Sequence, residues 1–159
     1  RQDSPGAGWE FVHVAIDDAS RVSHCSIHAD EKATSAWRAL LAAVRYYRRF
    51  GVVIRRVLTD NGSCYCSKAF ARVCRRLGIR HHRTRPYSPR TNGKAERFIQ
   101  TALREWAYAR SYLSSDQRAQ QLPRWLHHYN WHRPHASLNY DTPISTLQLP
   151  LNNLVGLHS

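Results

Sequence analysis

Two carboxylates, Asp60 and Glu96, stand where a metal ion could be held between them. Asp60 lies in Thr59-Asp60-Asn61-Gly62, directly after the largely apolar run 52–58. Glu96 lies in Asn92-Gly93-Lys94-Ala95-Glu96-Arg97-Phe98, where a helical pattern begins, and 35 residues separate the two. A carboxylate at a strand end and another at a helix start can meet over one cation, and hard cations such as Mg2+ or Mn2+ favour carboxylate oxygens. Such an ion can activate an attacking oxygen and stabilise a leaving one, which is the chemistry of phosphoryl transfer. Each acid also has a plainer role. Asp-Asn-Gly is a common turn, and a first-turn Glu is favoured by the helix dipole. Their spacing and their surroundings, taken together, point to chemistry.

Those surroundings are basic. The chain has 159 residues, 24 Lys or Arg against 11 Asp or Glu, and a net charge of +13. Between Arg72 and Arg110 stand eleven Lys or Arg and two acids, Glu96 and Glu105, so this stretch supplies +9 of that charge. A solvated basic face would aid solubility only. Concentrated around the two carboxylates, the charge points instead to a polyanionic partner such as nucleic acid. Lys94, Arg97, Arg104, Arg90 and Arg85 are the candidate phosphate contacts. Gln100 and Arg104 follow Glu96 by one and two turns on the same helix face. Tyr87 either stacks on a base or packs on the domain.

Cys25, Cys64, Cys66 and Cys74 lack the paired spacing of a zinc site, so reduced thiols are expected. His127, His132 and His135 form no tight metal motif and read as packed or DNA-facing polar residues. No stretch nears the roughly 20 apolar residues that span a bilayer, and no signal-peptide apolar region opens the chain. A cytoplasmic location is expected, with no membrane partner.

The positioning elements follow from periodicity. Residues 9–17 alternate as a strand, 17–21 form a turn, and 22–28 form a second strand in a hairpin with the first. Asp30 caps a helix from about 31 to 50, with Gly51 as its stop and Trp37, Leu40, Leu41, Val44 and Tyr47 facing the core. Residues 52–58 form a buried strand leading to Asp60. Ser67 caps a helix to Leu77, which Gly78 ends, and 79–84 form a last short strand. Residues 85–93 are a loop that Asn92 and Gly93 shape. A helix runs from Lys94 to about Ser111, with Phe98, Ile99, Ala102, Leu103 and Trp106 inward. Ser114 or Ser115 caps a final helix bearing Leu122, Trp125, Leu126 and Tyr129, which Arg133-Pro134-His135 breaks. Little signal follows Leu147. The order indicates one mixed α/β domain.

Several segments in order carry a resemblance: Val14-Ala15-Ile16-Asp17-Asp18-Ala19-Ser20-Arg21, the Thr-Asp-Asn-Gly turn, residues 88–98, Tyr129-Asn130-Trp131-His132-Arg133-Pro134-His135 and Thr142-Pro143-Ile144. From about Trp9 to Leu147 the chain resembles the catalytic core of the retroviral-integrase superfamily, and specifically the bacterial insertion-sequence transposases. The resemblance implies a ribonuclease-H-like mixed sheet flanked by helices, and a nucleoid-associated bacterial enzyme that works on DNA as a homo-oligomer when full length. It implies an Asp-Asp-Glu triad binding Mg2+ or Mn2+, with Asp60 as the second acid and Glu96 as the third. Asn61, Gly62, Asn92, Gly93 and Asp17 would support the site.

The first acid of that triad has no match. Residues 1–8, which include Asp3, Pro5 and two glycines, read as a loop, residues 9–112 as the core, 113–147 as its C-terminal helix and following segment, and 148–159 as a tail. The fold class expected is therefore a ribonuclease-H-like sheet that is N-terminally truncated. The family's first strand lies in mid-sheet, so its absence would leave two inner edges unpaired, at roughly 1–3 kcal/mol for each orphaned buried group. Either such a chain is marginal alone or its sheet closes over the gap. Three functions compete: metal-dependent DNA cleavage and strand transfer, a catalytically inactive remnant that binds DNA or a transposase partner, and a nuclease without transfer activity.

Overall fold

The structure, a computed structural model, describes residues 10–85 and 93–147, together with the backbone of residues 154–158. Its strands are β1 (Phe11–Asp17), β2 (Ser23–His28), β3 (Arg56–Thr59), β4 (Arg80–Arg83) and β5 (Leu154–His158). Its α-helices are α1 (Ala33–Arg48), α2 (Lys68–Arg76), α3 (Gly93–Ala102) and α4 (Ser115–Trp131). The strands form one sheet in the order β2-β1-β5-β3-β4.

The β1–β2 hairpin pairs Phe11 with His28 through to Ile16 with Ser23. Alternation along β1 sends Ala15 to one face, against α1 and α2, and Val14 and Ile16 to the other, against α3 and α4. The first core holds Leu40, Tyr47, Val57, Tyr65 and Phe70; the second holds Phe98, Trp106, Leu126 and Tyr129. Sequestering apolar side chains on both faces is the main driving force for the layered arrangement.

The middle of the sheet departs from the sequence reading. No inner edge stands open between β1 and β3, because β5, from the segment after Leu147 where little signal was expected, lies between them. β5 runs antiparallel to β1, pairing Val14 with His158 and Asp17 with Val155. It runs parallel to β3, pairing Arg56 with Leu154 and Thr59 with Leu157. The sheet closes over the expected gap. Five residues with a central glycine carry too little alternation to announce a buried strand.

Other boundaries shift for local reasons. α1 begins at Ala33 rather than 31, with Lys32 and not Asp30 at its N-cap and no side-chain cap bond; Asp30 Oδ1 instead folds the preceding loop by accepting from the Lys32 amide (3.0 Å) and the Ser35 hydroxyl (2.6 Å). α1 ends at Arg48; Gly51 follows with φ 73°, and Gly78 ends the α2 turn with φ 68°, so both stop glycines take the left-handed conformation. β3 begins at Arg56 and is therefore shorter than the apolar run 52–58. Ser67 caps α2 by accepting the Phe70 amide at 3.1 Å, and Ser114 caps α4 through Gln117 at 3.2 Å. The helix expected to reach Ser111 instead becomes a π-helical turn at Leu103–Ala107 and stops. Leu103, expected inward, is 42 % exposed, while Trp106 is buried. No helix among the described residues is long and apolar enough to cross a membrane.

Candidate metal and nucleic-acid site

β3 ends at Thr59, which is fully buried, with its hydroxyl 2.8 Å from His81 Nε2 on β4. The next residue, Asp60, is half-buried and opens a tight turn. Its Oδ1 accepts the Gly62 amide at 2.9 Å. The Gly62 carbonyl then accepts the amides of Tyr65 (3.0 Å) and Cys66 (3.2 Å). Asn61 Nδ2 donates to the Thr84 carbonyl at 2.8 Å, tying the turn to the end of β4. A Cβ on Gly62 would stand 3.0 Å from Asp60 Oδ1 and 3.5 Å from the Tyr65 ring, so glycine permits this close approach. Gly62 thus bonds Asp60 directly, and Asn61 ties the same turn to β4. The second oxygen of Asp60 accepts no hydrogen bond among the described residues.

Glu96 is exposed in the first turn of α3, whose Ala95 and Phe98 are buried against the sheet face bearing Val14 and Ile16. No hydrogen bond or ion pair joins Glu96 to Asp60 among the described residues, and none of these residues form a group of three or more metal-ligating side chains. β5 brings no carboxylate to mid-sheet: Leu154-Val155-Gly156-Leu157-His158 contains neither Asp nor Glu.

Lys94 differs from expectation. Its Nζ lies 2.6 Å from Asp18 Oδ1 and 3.0 Å from the Asp18 carbonyl, so an intramolecular acid holds it. The pair links the start of α3 to the β1–β2 turn. Asp17 supports that turn: it is 2 % exposed, and its Oδ2 accepts from the Ser20 amide (3.0 Å) and hydroxyl (2.5 Å). Tyr47, beneath, donates to the Val22 carbonyl at 2.6 Å, and burial raises its hydroxyl well above the usual range.

Arg97 and Gln100 are exposed on α3, and Arg85 is exposed just beyond β4. Arg104 is exposed too, with Glu105 at 3.8 Å, but it lies in the π-helical turn and off the α-helical register that was to align it with Glu96. Gly93 begins α3; Arg90, Asn92, Tyr87 and Asp3 lie outside the described residues.

Of the histidines near α4, His135 is buried while His127 and His132 are exposed. His135 is buried edge-on to Tyr129 with ring centroids 4.7 Å apart, and His127 stacks on Trp131 at 5.7 Å. Arg133 pairs with Glu105 at 2.9 Å, and Asn130 bridges to Ser23 through both main-chain atoms (2.9 and 2.8 Å). These contacts dock the Tyr129–His135 segment on the π-helical turn and β2. A buried pair that the sequence reading passed over sits behind the Asp60 turn: His13 Nδ1 lies 2.9 Å from the Tyr65 hydroxyl. Its one sequence signal is a polar residue at an inward position of an otherwise apolar strand.

Comparison with known proteins agrees with this fold. Residues 3–89, more than half of the chain, match the integrase core domain family, and residues 77–143 match a second integrase core domain of the same description. A putative integrase of Spiroplasma virus SpV1-C74 is 27% identical over 150 residues, covering 86% of this chain and 41% of its own length. The transposase InsD for insertion element IS2A/D/F/H/I/K of Escherichia coli is 38% identical over 87 residues, 54% of this chain and 29% of the relative. Among solved structures, a chain of a simian T-cell lymphotropic virus intasome in complex with PP2A regulatory subunit B56 gamma has a TM-score of 0.71 at 26% identity, covering 87% of this chain and 49% of that one. The HTLV-2 integrase catalytic core domain in complex with magnesium has a TM-score of 0.63 at 20% identity, covering 84% and 82%. The chain spans less than half the length of these two curated relatives. With the fold and these matches in agreement, the chain belongs to the integrase core domain family, a ribonuclease-H-like group.

Proposed function

We propose that this chain is the catalytic core of a transposase, acting on DNA by metal-dependent strand cleavage and strand transfer. The observation that carries the reading is Asp60: a half-exposed carboxylate at the end of a parallel strand, with one oxygen fixed by Gly62 and the other free of hydrogen bonds among the described residues. Asp60 and Glu96 would hold Mg2+ or Mn2+, which when bound supplies Lewis-acid stabilisation of charge on phosphate oxygens. The chain's own residues do the rest. The turn at 60–66 holds Asp60 rigid, and the α3 start presents Glu96. Arg97, Arg104 and Arg85 hold phosphates and so position the strand without choosing its sequence. Oligomerisation on paired DNA ends belongs to the same reading, as does nucleoid association.

The test is strand joining on a labelled duplex with Mg2+ or Mn2+. Glu96→Gln or Asp60→Asn should reduce joining by roughly a hundredfold or more, with DNA binding within about threefold of the parent. Joining that survives Glu96→Gln rules the reading out. Hydrolysed strands without joined product would indicate a nuclease.

A second reading is favoured by β5. Because the mid-sheet strand carries no acid, two carboxylates are available where the resemblance implies three. On this reading the chain binds DNA, or a transposase partner, without cutting. It predicts salt-dependent DNA binding and no product with either metal.

A further inference from the structure

Behind the Asp60 turn, on the sheet face covered by α1 and α2, lies a polar pair that the proposed chemistry leaves unused. His13 on β1 and Tyr65 are each 1 % exposed. His13 Nδ1 is 2.9 Å from the Tyr65 hydroxyl, across 52 residues of sequence, with the rings edge-on at 6.0 Å. A histidine is a costly choice here. Burial, with His28 beside it, pushes its pKa down to about 4, so it is neutral near pH 7. Its Nε2 has no hydrogen-bond partner among the described residues. A buried orphan of that kind costs roughly 1–3 kcal/mol, which a leucine would avoid. The gain visible in the structure is the bond to Tyr65.

Tyr65 is in turn joined to the acid by a short path. Its amide donates to the Gly62 carbonyl at 3.0 Å, and the Gly62 amide donates to Asp60 Oδ1 at 2.9 Å. The ring lies against the same glycine, 3.5 Å from where a Cβ would stand, and packs edge-on to Phe70 at 5.4 Å. β1 is paired to β2 along its length, with His13 opposite Ser26, and to β5 from Val14 onward, so His13 sits on a sheet strand next to the stretch bonded on both sides.

We propose that His13 and Tyr65 are positioning residues for Asp60: their hydrogen bond locks the 60–66 turn to β1 and so holds one carboxylate oxygen still while the other faces a cation. The inference rests on the metal-binding reading of Asp60. It does not require either residue to touch metal or DNA.

The experiment uses the full chain with two readouts. The first, without metal, is amide hydrogen exchange at Gly62. The second is Mn2+ affinity measured by titration calorimetry. Tyr65→Phe deletes one oxygen and is expected to speed Gly62 exchange about tenfold, while amides of α1 stay unchanged. It should weaken Mn2+ binding by roughly tenfold, the scale on which residues supporting a metal ligand act. His13→Leu should do the same, and His13→Asn, which keeps a polar atom near the Nδ1 position, should bring Mn2+ affinity back to within about threefold. A folded Tyr65→Phe with unchanged Gly62 exchange and unchanged Mn2+ affinity overturns the proposal and leaves the pair as a core contact. Should His13→Leu fail to fold, Tyr65→Phe decides alone. A parent chain that binds no Mn2+ sinks the metal reading of Asp60, and Gly62 exchange then still decides whether the lock exists.

Discussion

At the scale of single residues, the site is a set of side chains each held by a short local network. Asp60 depends on Gly62, Asp17 on Ser20, and Lys94 on Asp18. The last pair gives a direct prediction. Lys94 and Asp18 are both about half-exposed, so their bond contributes at most about 1 kcal/mol. Asp18→Asn frees Lys94 and removes one negative charge. DNA affinity should rise, and the slope of log K against log salt should steepen by about 1; a filter-binding series at several salt concentrations measures both. An unchanged slope would mean that Lys94 does not reach phosphate.

His13 gives a second prediction, for pH. Burial lowers its pKa from 6.5 to about 4, so the folded chain resists protonation that the unfolded chain accepts. Stability is therefore full above pH 6.5 and falls as the pH drops toward 4, by up to about 3 kcal/mol from this residue. His24, also lowered to about 4 by burial, acts in the same direction. Urea denaturation at pH 7 and at pH 4.5 should show the loss, and His13→Leu should flatten it. Asp60 was legible from its turn residues and Glu96 from its helix start. The His13–Tyr65 pair was not, because nothing near a strand histidine names a partner 52 residues away.

At the scale of elements, β5 matters most. It supplies partners to β1 and β3 at once, so the sheet is continuous only while residues 154–158 are in place. A chain ending at Leu147 should expose two inner edges, which pair readily with other chains. Light scattering after size exclusion should find self-association, and calorimetry should find the cooperative transition weakened or lost. A monomer with an unchanged melting temperature would show β5 to be dispensable. The π-helical turn after α3 was not legible either. Phe98, Ala102 and Trp106 fit an ordinary helical stripe, and only packing against α4 reveals where the register slips. Trp106 Nε1 donates to the Arg118 carbonyl at 2.9 Å, a contact available only once α4 has docked.

At the scale of the whole molecule, two cores flank one sheet and the excess positive charge lies largely in the stretch from α2 to the π-helical turn. That distribution predicts DNA binding dominated by phosphate contacts. Arg97→Ala should weaken binding to unrelated duplexes by similar factors and lower the salt slope by about 1. A loss confined to one sequence would point to base contact instead.

The sequence by itself determined the class of fold, the turn holding Asp60, the helix start bearing Glu96, the capping serines, the stop glycines and the basic character of the surface. Each of these is written in residues close together in the chain, where turn chemistry, capping and periodicity act. Tertiary structure alone decided that β5 fills mid-sheet, that Lys94 answers to Asp18 and that Tyr65 answers to His13. Those pairings join residues far apart in the chain, and a partner chosen by packing leaves no mark on either local sequence.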